Sequence, residues 1–259
     1  MSLSPVKVFA QQHHLTVLQP EKLKAEMFVD QLKSYRPDIF VVVAFRILPP
    51  EVFLIPKFGS FNLHASLLPK YRGAAPINWA IIRGEQETGV TTFFLKETVD
   101  TGSIILQARV PIREEDTAGD IHDKLSEVGA EIVLHTVRLI ERNKATPKPQ
   151  DETAASPAPK IFKEDCKIDW KKSATEVHNF VRGLSPRPCA YTFHNGTMLK
   201  IYRSRLAGNI APGKPGEVCE THRRLIVSTQ NGALELLELQ QEGKRKLPAE
   251  EFLRGYTLS

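Results

Sequence analysis

The chain has 259 residues, of which 41% are hydrophobic and 25% charged, with a net charge of +5. This balance is that of a folded globular protein rather than a disordered tail, and no apolar run reaches the ~18 residues of a membrane helix. The charge is uneven: residues 163–259 carry sixteen Lys and Arg against eleven Asp and Glu, while residues 1–143 carry sixteen against seventeen, so the basic excess that suits a polyanionic partner lies in the C-terminal part.

Residues Met1–Ala10 lack a basic start, an apolar core and a small-residue cleavage site, so no signal peptide is expected. The run Asp38–Phe45 is β-branched and aromatic throughout and reads as a parallel strand buried on both faces. Gly59–His64 and Val90–Leu95 read as two further strands, with a helix over Ala75–Arg83 between them whose first turn holds Pro76. Thr117-Ala-Gly-Asp120 has the form of a helix cap. It precedes Ile121, Leu125, Val128, Ile132, Val133 and Leu139 at helical spacing. Strands alternating with helices argue for an open α/β sheet with crossover helices.

Residues 144–162 are rich in Pro and small residues and read as an extended, semi-rigid linker between two domains. Beyond it a helix is expected over Ala174–Leu184, with Ser173 and Glu176 as its capping box. Two hairpin signals follow, around Asn195-Gly196 and Asn231-Gly232, and point to a small β-barrel. Cys166, Cys189 and Cys219 form no CxxC pair and read as reduced thiols rather than a zinc site or a disulfide framework.

The chain contains no GxGxxG, P-loop, HExxH or GxSxG signature. The chemistry-bearing text is Phe61–Ile77. Asn62 and His64 stand one residue apart at the end of a predicted strand, so their side chains share a face. Carboxyl ends of strands are where open α/β sheets bind ligands. An Asn amide donates to a developing oxyanion and a His moves a proton near neutrality, which together suit attack at a carbonyl carbon. Either residue alone also fits a polar strand end. Asp100, in Thr98–Gly102, either orients His64 or simply occupies a turn, and spacing leaves both readings open. Arg72 either meets substrate or holds its loop.

Asn62-Leu-His64, Ser66-Leu-Leu-Pro69, Arg72-Gly73 and Val99-Asp-Thr-Gly102 resemble the formyltransferases that use 10-formyltetrahydrofolate. The text Ser66–Ile77, with Gly232–Gly243 and Glu251–Gly255, is most similar to the branch that acts on methionyl-tRNA. The resemblance runs from about Ser4 to the last residues. It implies transfer of a formyl group from N10 of the folate to the α-amino group of methionine on initiator tRNA, with no metal. Asn62 and His64 would stabilise the oxyanion, and Asp100 would hold His64 and help remove the amine proton. Ser66, Leu67, Leu68 and Pro69 would line the folate site. The implied fold is an open, mostly parallel Rossmann-like sheet, N-terminally incomplete, followed by a small OB-like β-barrel. The implied domains are a catalytic one over 1–143, the linker 144–162 and a tRNA-binding one over 163–259, in a cytoplasmic monomer. Phosphate contacts are expected among Lys167, Lys171, Lys172, Arg203, Arg205, Lys244, Arg245 and Lys246. The chain opens at what corresponds to a helix tail, Pro5–His14, about fifty residues into the family pattern. A sugar-nucleotide formyltransferase and an inactive tRNA-binding fragment are the competing expectations.

Overall fold

A computed structural model describes residues 3–44, 46–208, 213–221 and 224–255. Phe45, the last residue of the first predicted strand, and the side chain of Cys219 lie outside the described residues. Two units are present, residues 1–60 and 61–259. Among the described residues no helix is long and apolar enough to cross a membrane.

The first unit holds helices α1 (Pro5–Gln12) and α2 (Glu26–Ser34), strand β1 (Phe40–Val43) and the short helix α3 (Pro50–Phe53). The Ser4 hydroxyl caps α1 by accepting from the Lys7 amide, and Pro5 sits where a helix tolerates it. Only Val42 of β1 is buried, while Val41 and Val43 are 42% and 51% exposed. The expected burial on both faces is therefore not found. Strand residues alternate sides, and only the side of Val42 is covered.

The second unit is built on β2 (Ser60–His64), which begins at the last residue of the first unit, α4 (Pro76–Ile82), β3 (Glu87–Phe94), β4 (Ile104–Pro111) and α5 (Ala118–Glu141). The α/β class is as expected, but the pairing is not parallel here. β2 runs antiparallel to β3, with Phe61 opposite Phe94 and His64 opposite Thr91, and β3 runs antiparallel to β4. Residues 65–86 are long enough for either sense of pairing, and the sense is set by the ladder between the strands rather than by the helix that joins them. Helix α5 lays Ile121, Leu125 and Ile132 on the sheet, against Val90 and Val110. It starts from a reciprocal cap in which Thr117 accepts from the Asp120 amide and the Asp120 carboxylate accepts from Thr117.

Residues 144–162 are extended, as their prolines dictate, but they are docked rather than loose. Lys148 exchanges two backbone hydrogen bonds with Ile104, at 2.8 and 2.9 Å. The Arg72 amide donates to the Ser156 carbonyl and the Ala158 amide to the Arg72 carbonyl, at 2.9 and 2.7 Å.

Beyond this segment come α6 (Ala174–Leu184) and an antiparallel sheet of β5 (Ala190–His194), β6 (Thr197–Leu206), β7 (Val218–Thr221), β8 (Arg224–Thr229), β9 (Gly232–Gln241) and β10 (Lys246–Pro248), followed by α7 (Ala249–Leu253). The order is β5-β6-β9-β8-β7, with β10 on β9. Both Asn-Gly hairpins form where expected, joining β5 to β6 and β8 to β9. Among the described residues no pairing joins β5 to β7, so the second sheet is antiparallel as a barrel requires but is not closed. Val177, Val181 and Leu184 of α6 share a core with Ile201, Leu234 and Leu239. Burial raises both the Cys166 and the Cys189 thiols, the latter to about 11, so these two are inert as well as reduced.

Buried His178 joins α6 to the loop before α5. Its ring lies 3.1 Å from the Ser204 hydroxyl and 3.4 Å from the Glu114 carbonyl oxygen. Burial holds this imidazole below its ordinary value, against the opposing effect of the Glu114 carbonyl and with Arg182 adding to the depression. The unfolded chain therefore takes up the proton first, near about pH 6.5, and the histidine costs stability only below that pH. His178→Gln should flatten the loss of stability between about pH 7 and about pH 5.5, read by denaturant titration; an unchanged pH slope would show that another group governs it.

Candidate active site

Residues Asn62 and His64 lie on the second half of β2, opposite Phe93 and Thr91 of β3. Phe61 is fully buried and Leu63 packs toward Gly129 of α5. Asn62 and His64 therefore occupy the other face, as strand alternation requires. His64 is buried. Its Nε2 is 2.8 Å from the Tyr71 carbonyl oxygen. A carbonyl only accepts, so Nε2 carries the hydrogen and Nδ1 is the nitrogen left for proton transfer. Nδ1 faces Asp100 Oδ2 at 3.8 Å. That separation allows an ion pair when the ring is protonated but exceeds a hydrogen bond, so a third group can share Nδ1. The half-buried Asn62 side chain makes no hydrogen bond among the described residues, which leaves its amide available to a ligand.

Asp100 sits in the turn between β3 and β4 with a left-handed backbone, φ +57°. Its Oδ2 accepts from the Gly73 amide at 2.9 Å. Two glycines make this approach work. A Cβ at Gly73, whose φ is +122°, would lie 2.6 Å from the Ala158 carbonyl oxygen, and one at Gly102 would overlap the Phe94 carbonyl at 1.5 Å.

The loop after β2 is held from beneath. Ser66 is fully buried and donates to the Lys70 carbonyl. The Leu68 amide donates to the Thr91 hydroxyl, which donates to the Ser66 carbonyl, and Gln107 donates to both the Leu68 carbonyl and Thr91. Leu68 is buried too, so of the four residues expected to line a folate site only Leu67 and Pro69 keep part of their side chains exposed. Ser66 and Leu68 meet a ligand only through backbone atoms. Burial, with the Glu85 carboxylate on its hydroxyl, pushes Tyr71 up to about 12, which removes its phenol as a general base.

Arg72 holds its loop. Its guanidinium donates to Gln150 and Glu152, with Nη2 at 2.7 Å from Gln150 Oε1 and Nη1 at 2.7 Å from Glu152 Oε2. Gln150 in turn reaches the Asp100 turn. Nothing in the sequence marks Gln150, a lone amide in a proline-rich stretch whose side chain meets residues some fifty positions away, or the carbonyl of Tyr71, a backbone group that residue type does not encode. Neither the cavity of about 450 Å³ beside Lys33 and Glu51 nor that of about 350 Å³ beside Arg224 and Glu235 includes Asn62, His64 or Asp100. Donor chemistry rather than cavity size marks this site.

Of the eight basic residues expected at phosphates, five have acidic partners. Arg205 bonds buried Glu235 and Lys246 lies 3.0 Å from Glu238. Lys172, Arg203 and Arg245 stand 3.8–3.9 Å from Glu176, Asp120 and Glu251. Lys167, Lys171 and Lys244 have no ion pair among the described residues, and Lys167 lies over the Phe193 ring.

The strand end thus offers an amide donor and an imidazole nitrogen beside a loop carboxylate, the group types that acyl transfer uses. Residues 2–137 match the formyl transferase family and residues 160–257 match the formyl transferase C-terminal domain. The methionyl-tRNA formyltransferase of Bacteroides fragilis is 45% identical over 266 residues, 99% of this chain and 82% of that protein. The methionyl-tRNA formyltransferase of Chlorobium luteolum is 48% identical over 256 residues, 98% of this chain and 82% of that protein. Among solved structures, the sugar 3N-formyl transferase WlaRD, with dTDP and 5-N-formyl-THF, superposes with TM-score 0.68 at 26% identity, covering 93% of this chain and 82% of that one. HypX from Aquifex aeolicus, in complex with tetrahydrofolic acid, superposes with TM-score 0.68 at 25% identity, covering 87% of this chain and 40% of that one. The chain belongs to the formyl transferase family.

Gly73→Ala should lower stability by about 1–3 kcal/mol, seen as a lower denaturation midpoint with unchanged slope. An unmoved midpoint would mean that residues 156–158 do not lie against this loop.

Proposed function

We propose that this chain transfers a formyl group from 10-formyltetrahydrofolate to the α-amino group of methionyl initiator tRNA, giving the formylated tRNA that starts translation. The observation that carries this reading is 45–48% identity over nearly the whole chain with methionyl-tRNA formyltransferases. The folate co-substrate supplies an activated one-carbon acyl group; the fit of this chain to it rests on the uncommitted Asn62 amide beside His64.

The residues divide the work as follows. The Asn62 amide donates a hydrogen bond to the acyl oxygen as that oxygen gains negative charge. His64 keeps Nε2–H on the Tyr71 carbonyl, so its ring cannot turn, and Nδ1 accepts a proton from the attacking amine. The Asp100 carboxylate, fixed by the Gly73 amide, stabilises the imidazolium so formed; as the bond from the acyl carbon to N10 breaks, the imidazolium returns the proton to N10 of the departing tetrahydrofolate. The exposed edges of Leu67 and Pro69 offer apolar contact to a pterin ring. The basic residues beyond 163, Lys167, Lys171 and Lys244 foremost, bring the tRNA phosphates to the chain. The same reading has the protein working as a monomer in the cytoplasm.

The sugar reading draws on structural relatives that are sugar formyltransferases, but those stand at 25–26% identity, and a net +5 over residues 163–259 suits tRNA rather than a sugar nucleotide.

The test is formylation of charged initiator tRNA by wild type and Asn62→Ala. The variant should lose about 10²–10³ in kcat while binding tRNA as wild type does, with affinity falling as salt rises. A rate within a few-fold of wild type would remove Asn62 from the chemistry; formylation of an amino sugar with none of tRNA would establish the sugar reading. tRNA binding without transfer by wild type, at saturating folate, would leave only an RNA-binding protein.

A further inference from the structure

The Asp100 backbone is held from the proline-rich segment. The Gln150 side-chain amide donates to the Asp100 carbonyl and to the Gly102 carbonyl, both at 2.8 Å. Its oxygen accepts from Arg72 Nε at 3.1 Å and from Nη2 at 2.7 Å. Both N–H groups and both lone pairs of the amide are thus used, and the arginine on one side with carbonyls on the other leaves only one orientation of the amide. The next residue after Arg72 is Gly73, whose amide holds the Asp100 carboxylate. Gln150, Arg72, Gly73 and Asp100 therefore close a ring of contacts around the turn.

This ring answers a conformational problem. Asp100 holds a left-handed backbone, φ +57°, which costs a residue with a Cβ more than it costs glycine. A turn so strained relaxes unless its carbonyls are engaged. Relaxation would swing the carboxylate away from His64 Nδ1, now 3.8 Å distant.

We propose that Gln150 is a positioning residue for the Asp100–His64 pair: its amide clamps the carbonyls of residues 100 and 102 and so fixes the carboxylate that faces Nδ1. This rests on the formyl-transfer reading for its kinetic consequence, but the geometry it describes does not. Glu152 provides the contrast. It binds the same Arg72 guanidinium at 2.7 Å but makes no contact with the Asp100 turn among the described residues.

The experiment compares Gln150→Ala and Glu152→Ala with wild type by two readouts. One is the ¹⁵N resonance of His64 Nδ1 at fixed pH. The other is single-turnover formyl transfer at saturating folate and tRNA. Gln150→Ala should move the Nδ1 resonance and slow transfer by about 10–100-fold, with KM for either substrate within about twofold. Glu152→Ala should leave the resonance in place and the rate near wild type. If Gln150→Ala does not fold, Gln150→Asn, whose amide is one methylene short of the carbonyls, is read the same way. An Nδ1 resonance unchanged in the Gln150 variant, or moved equally by Glu152→Ala, overturns the proposal. Absence of transfer by wild type, with the resonance moved only by the Gln150 change, overturns the functional reading and leaves the positioning role standing.

Discussion

One hydrogen bond joins the two loops on which the candidate chemistry depends, that from the Gly73 amide to the Asp100 carboxylate. The two residues come from different connections, one following β2 and the other following β3. Without this bond a carboxylate on a tight turn has no reason to point at a histidine two strands' ends away. With it, Asp100 is held in line with His64, whose other nitrogen is engaged by Tyr71. Three backbone groups, the amide of Gly73 and the carbonyls of Tyr71 and Asp100, thus fix the His64 and Asp100 side chains. This is economical in physical terms, because backbone groups lose no rotamer freedom when they are used as anchors.

The antiparallel pairing of β2 with β3 sets the end of β3 beside the start of β2, so the bond is reached because the loop after β2 folds back toward that edge. In an antiparallel pair the end of one strand lies beside the start of the next. His64, at the end of β2, stands opposite Thr91, and the loop that leaves it passes over β3 and β4, supported by Thr91 and Gln107. The chain then returns along β3 to the Asp100 turn.

Much of this architecture is legible before any coordinates. The helix caps at Thr117 and Ser173 and both Asn-Gly turns are local signals, written within four residues, and each forms as read. The common face of Asn62 and His64 follows from the two-residue period of a strand. Less legible are features that depend on distance along the chain. The direction of β3 relative to β2 is set by pairing across residues 65–86, which no local signal encodes. Strand β4 is less legible, although Leu106, Ala108 and Val110 alternate with Gln107 and Arg109, because its outer face is polar. The role of Arg72 required knowing where residues 150 and 152 lie. The inward-facing side chains of Ser66 and Leu68 likewise depend on Thr91 and Gln107, more than twenty residues on.

The proline-rich segment has a mechanical consequence. A stretch of this composition ordinarily behaves as a tether, letting what it connects swing. Here it is fastened at Lys148 to Ile104 and at Ser156 and Ala158 to the neighbourhood of Arg72, so it acts as a strut between residues 61–143 and the second sheet. Any substrate that engaged both parts would then meet them at a set span, like a workpiece against a gauge block, and one of the wrong reach would be refused by geometry alone.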